Sequence, residues 1–272
     1  MIEARASAKV FSYASQQRAA QLAANATRDE VNCTFTEAMA RLALDNRVTQ
    51  EVASAAAKWE GELVLYHERD EALGFMGIDT LRSKYLLRSN AGELLETPQY
   101  LFMRVSLAKH PDDLAMATRS YDLMSKGHFT HATPTLMNAG TPGGALASCY
   151  LMHVGDSLDS IFEGVTECAQ LSKGGGGIGL DVTRVRARGS HIQSSNGASN
   201  GICPMLKVFG STMEYVDQGG GKRRGVAAVY MEPWHADIQD FIRLRNPRTM
   251  DSHSLFNAIW VNDVFMERVR DD

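Results

Sequence analysis

Cysteine is scarce in this sequence, and no two cysteines are close together. Four are scattered over the 272 residues: Cys33, Cys149, Cys168 and Cys203. None of the pairs has the C-x₂-C spacing of a zinc site, and four scattered thiols are too few to form a disulfide scaffold. His128 and His131 have no neighbouring cysteine or carboxylate pair, so we expect no metal site.

Long apolar runs and an excess of charge are also missing. No run approaches the roughly 18 residues of a membrane span, and the N-terminal segment lacks the apolar core of a secretory signal. The net charge is −4, which does not favour binding to a polyanion. Hydrophobic residues make up 44% of the sequence, as in ordinary globular proteins. These absences predict a cytoplasmic protein with no membrane or nucleic-acid partner.

The first part of the chain has the patterns of packed helices. Thr34 and Glu37 form a capping box ahead of an Ala- and Leu-rich segment that reaches Trp59. Asp112 starts another segment in which apolar residues recur every three or four positions. We predict an N-terminal helical domain over residues 1–130 and a second domain over residues 131–272.

The second part alternates short apolar runs with amphipathic segments. Four runs are typical of strands: residues 147–152, which we expect to form a buried strand, and residues 177–182, 226–231 and 257–261. Asp156 is placed to cap the first helix between them, and residues 184–203 are polar and typical of a loop. The alternation predicts a mainly parallel sheet of the α/β class.

Residues 174–177 are four consecutive glycines, and Gly174, Gly176 and Gly179 match G-x-G-x-x-G. A dinucleotide-binding fingerprint follows a strand and opens a helix, whereas these glycines close a helix and enter a strand. A nicotinamide enzyme is therefore disfavoured. The second glycine-rich loop, residues 217–225, is not a P-loop, because Arg223 follows Lys222 where Ser or Thr is required.

Eight motifs occur in a fixed order: HATPTLMNAGTP (131–142), SCYLM (148–152), DSLDSI (156–161), GGIG (176–179), RVRARGS (184–190), NGASNG (196–201), DQGGGKRRG (217–225) and EPWHADI (232–238). Together they resemble the catalytic large subunit of class I ribonucleotide reductase, weakly from about residue 60 and strongly after His131. Class II, cobalamin-dependent reductases share this fold and are an alternative. The EPWHADI and DQGGGKRRG motifs are more similar to class I.

The resemblance implies a helical N-terminal domain followed by the first part of a ten-stranded α/β barrel. The family's ATP-cone, radical-bearing cysteine and second reducing cysteine have no counterpart here. We therefore expect either a truncated form of the subunit or a split subunit, and in both cases a polypeptide with the C-terminal half is needed to complete it. Other implied partners are a radical-generating small (beta) subunit with a metal cofactor, a second copy of the completed subunit, and thioredoxin or glutaredoxin. The alternative is a nucleotide-binding and dimerisation fragment without catalysis.

The resemblance also implies roles for individual residues. Cys149 is the catalytic residue, as one of the reducing pair, since a dithiol delivers two electrons when it becomes a disulfide. The substrate-binding residues are Thr133, Ser148, Gly177, Gln218, Lys222 and Arg223. The residues that bind an effector (ATP, dATP, dTTP or dGTP) are Asp156, Ser157, Leu158, Lys173, Arg186, Ile192, Gln193 and Ser194. No cofactor or metal is expected on this chain.

Overall fold

The structure is a computed structural model that describes residues 2–216, 225–244 and 254–271, with side chains from Tyr13 onward. The chain divides into two compact units, Met1–Leu146 and Ala147–Asp272. The first unit thus extends beyond residue 130, where the sequence predicts the end of the helical domain. The domain boundary at residue 130 stays a prediction. None of the helices in the described ranges has the length and apolar character of a membrane span.

Helices build the first unit. They are α1 (Ile2–Glu30), α2 (Phe35–Leu44), α3 (Gln50–Lys58), a 3₁₀ helix (His67–Leu73), α4 (Gly74–Lys84), α5 (Pro98–Lys109), α6 (Leu114–Ser125) and α7 (Thr133–Asn138). The predicted capping box is present, because Thr34 and Glu37 exchange hydrogen bonds at the start of α2. The segment to Trp59 is not one helix but two, and Asn46 interrupts it with a φ of 55°. The cap of α6 is Asp113, one residue after the predicted Asp112.

A buried ion pair at α5 holds the arginine that contacts the short helix α7. Arg104 and Glu96 are both fully buried, with Nε 2.6 Å from Oε1. Arg104 also donates to the carbonyl oxygens of Leu136, at 3.2 Å, and Ala139. The second oxygen of Glu96 accepts the amide of Leu87 at 2.9 Å. Because each charge has several partners, the pair fixes α7 at a defined position in the core of the first unit.

The second unit is built on a parallel sheet. Its elements are β1 (Cys149–His153), α8 (Leu158–Lys173), β2 (Gly177–Asp181), β3 (His191–Ile192), β4 (Gly197–Ala198), α9 (Ile202–Tyr215), β5 (Ala227–Met231), α10 (Ile238–Arg243), β6 (Leu255–Ile259) and α11 (Asp263–Asp271). The four long strands are parallel in the order β1-β2-β5-β6. They confirm the predicted fold class, a helical region followed by an α/β region with an open sheet. The sequence does not predict the small antiparallel pair β3–β4, inside residues 184–203.

The two faces of the sheet differ in exposure. Leu180 and Val229 are fully buried in a core that also contains Cys168 of α8 and Phe209 of α9. The opposite face carries Leu151, which is 87% exposed. The expectation of a buried strand at 147–152 is therefore wrong, because exposed residues alternate with partly buried ones along β1. One face of this parallel sheet is open within the described residues.

Candidate functional site

Cys149 lies at the amino end of β1, with the side chain of Ser148 beside it. Its thiol is exposed, and Ser148 Oγ is 3.7 Å from Cys149 Sγ. Gly177 is the register partner of Cys149 on β2, and its amide donates to the carbonyl oxygen of Ser148 at 2.7 Å. Three of the predicted site residues are thus neighbours at one edge of the sheet. The arrangement presents a thiol, a hydroxyl and a strip of backbone without a side chain.

The other three cysteines are in different environments. Cys168 is fully buried, and burial, with a smaller effect of Glu167, raises the pKa of its thiol to about 12. Its Sγ is 3.9 Å from Sδ of Met152. Cys33 and Cys203 are half-buried, and burial raises the pKa of each. Among the four, Cys149 alone has an exposed sulfur.

The run of four glycines has a structural explanation for its last three members. Gly175 has a φ of +86°, which favours glycine at the end of α8. A Cβ on Gly176 would lie 2.6 Å from the ring of Tyr150, and one on Gly177 would lie 3.3 Å from the Ser148 carbonyl oxygen. The joint between α8 and β2 therefore requires glycines whether or not a ligand binds.

Thr133 is the first residue of α7 in the first unit. Its Oγ1 is 3.0 Å from the hydroxyl of Tyr85, which follows α4. If Tyr85 donates, the Thr133 hydroxyl proton is left for another acceptor. Such a donor suits a phosphate or ribose oxygen.

Asp156 and Arg186, both predicted effector residues, form an ion pair. Arg186 Nε lies 2.9 Å from Oδ1 and 2.8 Å from Oδ2 of Asp156, and the Arg186 amide donates to Oδ1 at 3.0 Å. Arg186 also donates to the carbonyl oxygen of His191 at 3.2 Å. Partial burial acts to raise the pKa of Asp156, but the hydrogen bonds and charge of Arg186 outweigh it and lower that pKa. The predicted capping of α8 by Asp156 is wrong, since Ser157 is the N-cap and accepts the amide of Ser160 at 3.1 Å.

The remaining predicted effector residues divide between the two ends of α8. Leu158 is the first residue of α8 and is 70% exposed. Ile192, Gln193 and Ser194 come directly after His191, whose carbonyl oxygen accepts a hydrogen bond from Arg186. Lys173 is the last residue of the helix, roughly 22 Å from Leu158 at 1.5 Å per residue. A single copy of the chain therefore does not bring Lys173 to the Asp156–Arg186 pair.

Three predicted substrate residues, Gln218, Lys222 and Arg223, lie outside the described residues. Within the described ranges, no group of three or more His, Cys, Asp or Glu side chains could hold a metal ion. Two residues that the sequence does not single out, His235 and Asp237, are buried beneath the loop that carries Arg186. Both residues belong to the motif EPWHADI, but the sequence of the motif does not show which residues they contact.

The chain is similar to known proteins over most of its length. Residues 71–144 match the family model described as "Ribonucleotide reductase, all-alpha domain", and residues 147–272 match "Ribonucleotide reductase, barrel domain". A ribonucleoside-diphosphate reductase large subunit of Arabidopsis thaliana is 46% identical over 83% of this chain and 28% of the relative. The large subunit of Dictyostelium discoideum is 49% identical over 76% of the chain and 24% of the relative. The chain thus spans about a quarter of the length of these curated relatives.

Proposed function

Because the chain belongs to the ribonucleotide reductase large-subunit family, we propose that it is part of the catalytic subunit of a ribonucleoside-diphosphate reductase. In this role it contributes to the reduction of ribonucleotides to deoxyribonucleotides and binds the specificity effector. The observation that carries the proposal is Cys149, an exposed thiol at a strand edge with Ser148 and Gly177 beside it.

The proposed chemistry needs two thiols. The C2′–O bond of the ribose breaks, the oxygen leaves as water, and a C2′–H bond forms. The two electrons come from two cysteine thiols that become one disulfide. Cys149 supplies one thiol. Cys168 does not suit the second, because it is fully buried and burial keeps it protonated. The second thiol and the radical-bearing cysteine would come from the rest of the large subunit.

The open face of the sheet supports the need for that remainder. Parallel sheets are normally covered on both faces, yet Leu151 and Trp260 are 87% and 62% exposed. Strands β1 and β6 are the edges of the sheet in the described residues. Unpaired edges favour further strands. We propose that the remaining length of a large subunit covers this face, whether it belongs to the same polypeptide or to a second one.

The Asp156–Arg186 pair would form the centre of the effector site. Arg186 offers a planar fork of donors to phosphate, while Asp156, Ser157 and Leu158 would contact base and sugar. Ile192, Gln193 and Ser194 would complete the site. The bound effector would be ATP, dATP, dTTP or dGTP, and Gln218, Lys222 and Arg223 would read the substrate base.

A dimer would explain the position of Lys173. Helices α8 and α9 expose apolar side chains, including Phe162 at 52% and Tyr215 at 89%. If these helices pack against a second copy in an antiparallel arrangement, Lys173 of one copy approaches the Asp156–Arg186 pair of the other. Further proposed partners are a small subunit with a metal–radical cofactor and thioredoxin or glutaredoxin as reductant, all in the cytoplasm.

Reconstitution tests the proposed function. The purified 272-residue chain is incubated with a small subunit, reductant and ribonucleoside diphosphates, with and without a polypeptide that supplies the remaining strands and cysteines. We expect deoxyribonucleotide formation only when that polypeptide is present. Effector binding without any reduction in the completed assembly would instead support a nucleotide-binding fragment.

A further inference from the structure

The loop that carries Arg186 is held by hydrogen bonds on both sides of this residue. On one side, His235 Nε2 is 2.8 Å from the carbonyl oxygen of Val185. On the other, the carboxylate of Asp237 accepts the amide of Arg188, with distances of 3.0 and 3.1 Å to its two oxygens. The backbone on either side of Arg186 is therefore anchored to the segment that follows β5.

The two anchoring side chains are buried, and the ring of His235 also accepts the backbone amide of Asp237. His235 and Asp237 are 5% and 7% exposed. The amide of Asp237 donates to His235 Nδ1 at 3.1 Å, so Nδ1 is the acceptor. Nε2 must then carry the proton, since the carbonyl oxygen of Val185 only accepts. This tautomer leaves both nitrogens satisfied.

Asp237 also caps α9. Its Oδ2 accepts the amide of Ile202 at 3.0 Å, at a helix whose own N-cap, Gly201, provides no side-chain hydrogen bond. Gly201 has a φ of +79°, and a Cβ built there would lie 2.5 Å from Asp237 Oδ2 and 2.8 Å from Cβ of Arg188. The carboxylate thus occupies a place that only glycine leaves free. The position of the Asp237 carboxylate is therefore fixed by the amides of Arg188 and Ile202 and by the space beside Gly201.

We infer that His235 and Asp237 are positioning residues that hold the Val185–Arg188 loop so that Arg186 faces its nucleotide ligand. This inference rests on the proposed effector role of Arg186. The two residues do not touch the effector. They fix the backbone from which Arg186 also donates its amide to Asp156 at 3.0 Å. A loop anchored before binding loses less conformational entropy when it binds.

The test compares Asp237→Asn with Asp240→Asn in the reductase assembled from this chain and the remaining large-subunit residues. Asp240 is a matched control, because its side chain is 50% exposed on α10 and its ion pair is with Arg243 of the same helix, not with the Arg186 loop. Equilibrium binding of dTTP and amide hydrogen exchange of residues 185–188 are measured for both. His235→Leu and His235→Gln form a second pair, since glutamine keeps a donor that can reach Val185.

We expect Asp237→Asn to weaken dTTP binding by about tenfold and to speed exchange in the loop, with Asp240→Asn unchanged. Glutamine at position 235 should restore part of the affinity that leucine loses. In Arg186→Ala, adding Asp237→Asn should cause little further loss, because both act through one side chain. Normal dTTP affinity in Asp237→Asn, or fully additive losses, would overturn the inference.

Failure of the proposed function gives a different result. If Arg186→Ala binds dTTP normally, Arg186 is not an effector residue. Loop exchange then still decides whether Asp237 and His235 hold the loop: faster exchange in Asp237→Asn supports that anchoring, and unchanged exchange contradicts it.

Discussion

Arg186 meets the carboxylate of Asp156 with both its guanidinium and its backbone amide. Nε is 2.9 and 2.8 Å from the two carboxylate oxygens, and the amide is 3.0 Å from one of them. The two residues are 30 positions apart in the chain. Each side chain is about one-third exposed, so both remain accessible to a nucleotide. The pair holds the Arg186 fork at a fixed place before any ligand binds.

Replacing Arg186 with alanine should weaken effector binding at least about tenfold, because up to two charge-assisted hydrogen bonds to phosphate are lost. Equilibrium binding of dATP and dTTP to the assembled reductase measures the loss. Arg184→Ala is the matched control, since Arg184 is an exposed arginine two residues earlier in the same loop. Equal losses in both variants would show that general positive charge, rather than the Arg186 fork, attracts the effector.

Replacing Arg104 with methionine should destabilise the first unit strongly. Glu96 would remain fully buried without its charge partner, which costs about 3–5 kcal/mol of unfolding free energy. The control is Arg41→Met, which breaks an exposed ion pair with Glu93 and should leave stability close to that of the unaltered protein. Denaturant unfolding of both variants gives the comparison. A small effect of Arg104→Met would mean that Glu96 takes up a proton or contacts water in the variant.

Asp70 should make stability depend on pH near neutrality. Burial raises the pKa of this carboxyl to about 7, against the opposing hydrogen bond from Gln99 Nε2 at 2.7 Å. The folded pKa exceeds the unfolded value of about 3.9. The folded state therefore binds more protons than the unfolded state in this window, and the contribution of Asp70 to stability falls as the pH rises from about 4 to about 7.

Asp70→Asn should remove this dependence while keeping an oxygen for Gln99. We expect the variant to be more stable than the unaltered protein by roughly 2–4 kcal/mol at pH 8, with the difference shrinking toward pH 4. Thermal or denaturant unfolding across that range measures it. A difference that is constant with pH would show that Asp70 does not titrate there.

Local pattern was sufficient to predict most elements of the fold. The strands follow from short apolar runs, and the start of α2 follows from Thr34 and Glu37, because these signals act over a few residues. The break at Asn46 was not predictable in this way, since a left-handed residue in a turn leaves the surrounding helical pattern intact. The start of α6 was also ambiguous, because Asp112 and Asp113 are adjacent and either could cap the helix. The cap is Asp113, since its side chain is the one that accepts a free backbone amide of the first turn.

Contacts between distant residues could not be predicted from the same patterns. Aspartate and serine are both common residues at helix N-termini, so the sequence does not distinguish Asp156 from Ser157 as the cap of α8. Only the position of Arg186 shows that Asp156 has a different partner. His235 and Asp237 are polar residues, so the sequence does not predict that they are buried. Their burial depends on tertiary packing, including the contact of Asp237 with the start of α9. The resemblance to a family pointed to Asp156 and Arg186, but only the three-dimensional packing shows what they, His235 and Asp237 contact.

The most direct test of the proposed catalytic role is deoxyribonucleotide formation by the assembled reductase with Cys149→Ser beside Cys168→Ser. Serine keeps the size of cysteine but cannot form a disulfide, so Cys149→Ser should abolish turnover with a dithiol reductant and leave effector affinity nearly unchanged. Cys168→Ser should retain turnover, with a packing cost of about 1–3 kcal/mol. Normal turnover in Cys149→Ser together with its loss in Cys168→Ser would contradict the assignment of Cys149 as the reducing thiol.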